Sequence, residues 1–494
     1  MSATIGTYSA LAYTLAVLAF FVIESHNGRA VLFVTLFTIG TICLILSFAA
    51  ANSNKITNLQ SGSHKIFALS QYFSWQFPPY KLILGAVAAV ITITLLALLL
   101  EIVDARNIRR PHKNSLIDLT NSSLGLSSQS SAVTITVLIP ARNEELSLPQ
   151  TLESLRSQTR PPEKIIVVAD NCTDATVDIA RRMDCEAFET IDNTDRKGGA
   201  LNQVLKAILP GMGRGDLILV MDADSQIDNG FLATALEHFQ KFPVLDAVGG
   251  SFFGEPHGGL LGQLQRNEFT RYSDQINRRR GRVFVLTGTA SVFRAEALDN
   301  VARARGIDLL GKNGEVYDTA ALTEDNELTI ALKTLGSAMI SPPGCRVTTE
   351  LMPSWNNLWD QRLRWQRGAI ENLGGYGFTR TTIRYWGQQI AIAYGTFALS
   401  ASILGSIILF LTQDHWVWYP FWMAIGSVFI LERVWTVRRA GRAAILLALP
   451  LVPELAYDIF LQLIFIKALI DTISMRRDRW GSVRHLRVAV RRKQ

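Results

Sequence analysis

Cysteine is scarce in this chain. There are four in 494 residues, Cys43, Cys172, Cys185 and Cys345, and none stands at CxxC or zinc-ligand spacing. That excludes a disulfide scaffold or a zinc ribbon and leaves inert thiols in a reducing compartment. Lys and Arg are absent from the opening MSATIG. The apolar run after it therefore lacks the charged flank of a secretory signal and is expected to be a transmembrane helix. Acidic residues are fewer than basic ones, 42 against 49, for a net charge of +7. The basic residues gather beside apolar runs, so lipid headgroups and topology explain the excess, and no nucleic-acid partner is expected.

Apolar residues make up 48% of the chain, and they are segregated. Runs at 7–23, 30–51 and 82–103 are each near the length a helix needs to cross a bilayer core of about 30 Å. Arg106, Arg109, Arg110 and Lys113 follow the third run and place that end in the cytosol, with the N-terminus outside. Two more runs, 388–412 and 416–431, follow a long stretch of ordinary soluble composition. Trp416, Trp418, Tyr419 and Trp422 form an interface belt, and Arg433, Arg438, Arg439 and Arg442 mark a return to the cytosol. The stretch 443–474 is broken by Pro450, Pro453 and Glu454 and precedes a strongly basic tail. It calls for a re-entrant or broken helix pair or for a sixth span. The expected organisation is a three-helix membrane region at 1–113, a linker at 114–132, a cytosolic domain at 133–350, amphipathic interface helices at 351–385, a second membrane region at 386–475 and a basic cytosolic tail at 476–494. The expected setting is the cell membrane, crossed several times, with the soluble domain in the cytosol.

Inside the soluble stretch, strands are expected at 133–140, 164–170 and 217–221, and helices at 144–157, 174–183 and 197–208. Alternating strands and helices make an α/β domain with a mostly parallel, Rossmann-like sheet covered on both faces. Ligands of such sheets bind beyond the carboxyl ends of the strands, where Pro140, Asp170 and Asp222 should converge.

Asp222 and Asp224 stand two apart after a buried strand, so alternation would point both to one side. Carboxylate oxygens suit Mg²⁺ or Mn²⁺, and such a cation suits a diphosphate; Asp224 is the metal residue, and Asp222 serves the metal or a ribose. Asp170 opens the turn-forming DNCTD and can accept from a base or ribose. Lys197 starts a helix beside two glycines, where a cation and helix-start amides suit a phosphate. Asp325 in TEDNELT can act as a base, with Glu324 the competing candidate and Thr323 the expected helix cap. From Ser354 a helix is expected whose Trp355, Trp359, Leu363, Ile370 and Leu373 stripe lies in the membrane interface. Gln361, Arg364 and Trp365 of QRLRW fall on the other face: Arg364 can fork onto a diphosphate, and Trp365 can stack on a sugar ring.

LIPARNEE, DNCTD, KGGALN, MDADS, GTASVFR, TEDNELT and QRLRWQRG, in this order between 133 and 375, closely resemble the processive family 2 glycosyltransferases, the hyaluronan, chitin, cellulose and poly-N-acetylglucosamine synthases. The resemblance implies a GT-A fold, a UDP-sugar donor, Mg²⁺ or Mn²⁺, inversion at the anomeric carbon, and export of the growing polysaccharide through the enzyme's own membrane helices. It implies that Asp170, Lys197, Asp222 and Arg364 bind the nucleotide donor and that Asp224 with Asp222 holds the metal. Asp325 becomes the base, and Gln361, Trp365 and Glu324 shape the acceptor side, with the small residues of 288–294 along the chain's path. A cellulose-type FxVTxK segment and an appended regulatory domain are not seen in the sequence, which leans the resemblance toward the amino-sugar synthases. A homo-oligomer or an accessory export protein would be a further partner. The alternative is a non-processive membrane enzyme adding one sugar to a lipid or glycan.

Overall fold

The runs of Val, Ile and Leu become neighbouring strands of one sheet. The computed structural model describes residues 133–279, 281–412 and 420–474. The three expected N-terminal spans, the linker, most of the aromatic belt and the basic tail lie outside the described residues. The strands are β1 (Ile135–Ala141), β2 (Lys164–Ala169), β3 (Glu186–Glu189), β4 (Leu217–Met221), β5 (Ser225–Ile227), β6 (Leu245–Gly249), β7 (Ser251–Gly254), β8 (Ala290–Arg294), β9 (Ala338–Ile340) and β10 (Arg346–Thr349). The helices are α1 (Leu148–Arg156), α2 (Thr176–Arg182), α3 (Arg196–Ile208), α4 (Phe231–Lys241), α5 (Gly259–Arg278), α6 (Ala295–Ala304), α7 (Glu324–Thr334), α8 (Trp355–Tyr376), α9 (Ile383–Thr412), α10 (Pro420–Val437), α11 (Arg442–Ala448) and α12 (Val452–Ile473).

Seven strands form the main sheet in the order β3-β2-β1-β4-β8-β6-β9, and only β8 runs against its neighbours. Side chains alternate across it. Val137, Ile139, Leu217 and Leu219 pack with α1 and α4 on one face. Leu138, Ile166, Ile218 and Val220 pack with α3, α6 and α7 on the other. Burial on both faces explains why these strands read as continuous apolar runs. β5, β10 and β7 form a small second sheet at the edge of the site.

Because β8 is antiparallel, Ala290 pairs with Met221, and the residues just before β8 reach the carboxyl end of β4. The Asp222 amide there donates to the Thr289 carbonyl at 3.1 Å. This reversal brings GTAS beside the MDADS turn.

Ser354 caps α8 as expected, its side chain accepting from the Asn357 amide at 3.2 Å. The Trp355 and Trp359 stripe does not simply face a membrane. Both rings meet Phe460 of α12 edge-on, at 5.0 and 5.7 Å. Leu358 is fully buried with Leu264 and Tyr457, so apolar partners on α12 and α5 take up much of that face.

Around Pro450 the chain breaks, and α11 meets α12 at 78°. Leu451 adopts φ 60° at the break. Among the described residues no single helix is long and apolar enough to cross a membrane; this bent pair reaches that length and apolar composition only when its two helices are taken together. The pair is tied to the α/β domain by Glu454, which is 0% exposed and accepts from Asn267 at 2.8 Å and pairs with Arg271 at 2.9 Å.

Candidate active site

Lys197 in the first turn of α3, Asp222 after β4 and Glu324 at the start of α7 come together at the sheet's carboxyl edge. The Lys197 Nζ lies 2.6 Å from Asp222 Oδ1 and 3.3 Å from Glu324 Oε1. Burial opposes the Lys197 ammonium, but Asp222, Glu324 and Asp325 outweigh it and hold its pKa above the ordinary value. Glu324 moves the other way. Burial would raise it, yet the Lys197 charge, a backbone hydrogen bond of its own residue and the Arg364 charge bring it below its usual value.

Asp325 is the second residue of α7. Its Oδ2 accepts from the Gly288 amide at 3.2 Å and its Oδ1 from the Asn326 amide at 2.7 Å. A side chain at Gly288 would meet Asp325 Oδ2 at 3.2 Å, so the close approach of GTAS to the carboxylate favours glycine. Burial pushes Asp325 up to about 6, with the Glu324 charge as the next cause. Lys197, Gly288, Tyr317, Glu324 and Asp325 line one pocket. A carboxyl poised near neutrality, beside a more acidic carboxylate paired to lysine, is suited to take up a proton.

The aspartate pair converges by a different route from strand alternation. β4 ends at Met221, residues 222–224 turn, and β5 starts at Ser225. Asp222 faces Lys197, while Asp224 Oδ1 accepts from the Ser225 hydroxyl at 3.2 Å. Burial, then the charges of Asp222, Glu144 and Glu350, raises Asp224 to about 7. Glu350 has no motif to announce it. The antiparallel pairing of Ser225 with Thr349 carries the following residue toward Asp224.

Among the described residues no group of three or more His, Cys, Asp or Glu side chains is gathered closely enough to hold a metal ion. The charge balance nevertheless fits a hard cation. Asp222, Asp224, Glu324 and Asp325 crowd a region that Lys197 and Arg364 oppose. An anionic ligand entering beside four carboxylates needs further positive charge.

Asp170 is 5% exposed, and its Oδ1 accepts from Asn171 at 3.0 Å, Thr190 at 3.1 Å and Asn193 at 2.8 Å. Asn143, Asn171 and Arg196 all hold left-handed backbone, with φ of 60°, 51° and 60°. Such strain, in two loops and at the first residue of α3, gathers at one sheet edge and marks a shaped site.

On α8, Arg364 lies near enough to Glu324 to lower its pKa, Trp365 is 37% exposed, and Gln361 accepts from Arg362 at 2.6 Å. The start of α7 is clasped by α8. Thr323 does not cap its own helix; Asn372 donates to its hydroxyl and carbonyl, both at 3.3 Å, and to Asn326 Oδ1 at 3.0 Å. A side chain at Gly368 would come within 2.5 Å of Thr323 Oγ1. Deeper in α7, Glu327 is 1% exposed, accepts from Arg305 Nη2 at 2.7 Å and from the Tyr376 hydroxyl at 2.6 Å. Sequence reasoning passed over Glu327, Asn372 and Arg305; their signal was only the polar type at positions that the helical pattern assigns to the core.

Residues 132–368 match the family described as glycosyltransferase like family 2. A poly-beta-1,6-N-acetyl-D-glucosamine synthase of Staphylococcus epidermidis is 26% identical over 245 residues, covering 48% of this chain and 55% of that one. The synthase of the same name from Staphylococcus aureus is 25% identical with the same coverage of 48% and 55%. The chain spans about half the length of the curated relatives it matches. Among solved structures, a mannosyltransferase of Pyrobaculum calidifontis in complex with GDP-mannose and Mn²⁺ is 14% identical, covers 77% of this chain and 98% of its own, and has a TM-score of 0.47. Residues 1–349 of TarS from Staphylococcus aureus, in complex with UDP-GlcNAc, are 15% identical, with coverage of 71% and 94% and a TM-score of 0.34. With its mostly parallel sheet and this family match, the region 132–368 is a GT-A-like family 2 glycosyltransferase domain.

Proposed function

We propose that the protein is a membrane-embedded, inverting, processive synthase that polymerises N-acetylglucosamine from its UDP-sugar into a β-linked polysaccharide and exports it through its own helices. The observation that carries the catalytic half is the pocket in which Asp325, raised to about 6, stands beside the Lys197 and Glu324 pair. The choice of donor rests on the named activity of the relatives. The bent α11 and α12 pair, docked on the transferase domain through Glu454, favours a membrane setting.

Asp170 and its Asn171, Thr190 and Asn193 partners offer a carboxylate to the base or ribose. Lys197 and Arg364 face the diphosphate. Asp222 and Asp224 would hold Mg²⁺ or Mn²⁺, which when bound would offset the charge of the departing diphosphate. Asp325 takes the proton of the acceptor hydroxyl. That oxygen bonds to the anomeric carbon from the face opposite the diphosphate. The carbon–oxygen bond to the diphosphate breaks, its electron pair leaves with UDP, and the configuration inverts. Gln361 and Trp365 receive the acceptor end, the exposed part of the indole serving as a stacking surface.

The test is UDP release from UDP-N-acetylglucosamine by purified protein with Mn²⁺. Wild type should release UDP, and Asp325→Asn should not, while still binding the donor. Equal loss of donor binding would remove the base assignment, and a wild type that releases no UDP from any UDP-sugar would remove the proposal.

A further inference from the structure

Arg362 is the one residue of QRLRW whose side chain is sealed inside the protein, at 6% exposure. It stands three residues before Trp365, within reach along one helix face, and next to Gln361. Its Nη1 donates to Gln361 Oε1 at 2.6 Å, and its guanidinium carbon lies 4.3 Å from the centre of the Trp365 ring. Its Nη2 donates to Glu268 Oε2 of α5 at 2.9 Å. That same oxygen accepts from the Tyr457 hydroxyl of α12 at 2.6 Å. One planar cation is thus bonded to an amide, stacked on an indole and anchored to a carboxylate that a second helix also holds.

A buried guanidinium needs its charge matched, which Glu268 does, and Gln361 and Glu268 take up Nη1 and Nη2 while Nε is left without a partner. Structural anchoring alone would require no contact with Gln361 or Trp365. Arg362 makes both, so the two side chains cannot turn independently of it. With one part of the indole against the guanidinium, the exposed remainder is left for a ligand.

We propose that Arg362 is a positioning residue for the acceptor: it touches no substrate itself, aims Gln361 and Trp365, and through Glu268 and Tyr457 makes that aim depend on how α12 is seated. This deepens the proposed function and rests on its assignment of Gln361 and Trp365 to the acceptor. It also gives the membrane-facing helix pair a physical link to the acceptor site through a single chain, Tyr457–Glu268–Arg362–Trp365.

Two variants of the full chain test it. Tyr457→Phe removes only the hydroxyl and keeps the ring that packs near Trp355 and Phe460, 6.4 and 6.3 Å away. Arg362→Lys keeps a charge for Glu268 but loses the flat stack and the fork. The substrates are UDP-N-acetylglucosamine with Mn²⁺ and a short β-1,6-linked N-acetylglucosamine oligosaccharide as acceptor. Misaiming by a fraction of an ångström should raise the acceptor KM about ten-fold in Arg362→Lys, and by less in Tyr457→Phe, with donor KM and acceptor-free UDP release within about two-fold of wild type. Parallel loss of both activities, or an unchanged acceptor KM, would overturn the assignment. A wild type that released no UDP would overturn the transferase reading first and this one with it. An active wild type with unaffected variants would overturn this one alone.

Discussion

Replacing Asp325 with asparagine should end transfer and stabilise the fold, and the second effect tests the electrostatics directly. The carboxyl is raised from an ordinary 3.8 to about 6, first by burial and then by Glu324. That gap corresponds to about 3 kcal/mol in favour of the neutral acid in the folded chain. The sign follows from linkage. A carboxyl raised on folding contributes stability while protonated, in full below about pH 4, and loses it as pH climbs through about 6. Above that pH the wild type has lost about 3 kcal/mol that the uncharged variant never forfeits. At about pH 5 the wild type has lost only about half of that. Asparagine keeps one oxygen for the Gly288 or Asn326 amide and turns an NH₂ toward the other, which takes back about 1 kcal/mol. Thermal unfolding of both proteins should therefore show the variant ahead by about 2 kcal/mol near pH 8 and by well under about 1 kcal/mol near pH 5. A variant less stable near pH 8, or an advantage independent of pH, would refute the reasoning. The wild-type rate should fall below about pH 6 as the base is protonated, a fall readable from initial UDP release.

Lys197→Met leaves Asp222 and Glu324 facing each other without their shared cation. Donor KM should rise about ten-fold or more, and an unchanged KM would exclude Lys197 from the donor site. Trp365→Ala should reduce transfer to an oligosaccharide more than donor hydrolysis, and equal losses would count against stacking. Gly368→Ala drives a methyl to within 2.5 Å of Thr323 Oγ1 and should destabilise the domain by about 1–3 kcal/mol in denaturant unfolding. A neutral Gly368→Ala would mean that α7 and α8 separate freely.

The strand runs at 135–141, 164–169 and 217–221 were plain in the sequence because burial on both faces leaves little room for polar residues. Asp222, Asp224, Asp325 and Lys197 were legible because each sits at a strand end or helix start. Their mutual arrangement was not. The antiparallel β8, which brings Gly288 to Asp325, and the β5–β10 pairing, which brings Glu350 toward Asp224, join segments far apart in the chain. Thr323 read as a cap by type, but the approach of Gly368 and Asn372 gives its hydroxyl another partner. The tryptophan stripe of α8 read as membrane-facing because periodicity reports an apolar face without saying what covers it; Phe460 and Tyr457 do so in part.

In the proposed function one donor sugar is added repeatedly to one growing chain. Sizing the product made by purified protein from UDP-N-acetylglucosamine and Mn²⁺ tests it most directly. Long β-linked polymers are expected even while most donor remains unspent, whereas an acceptor extended by a single sugar would overturn the proposal.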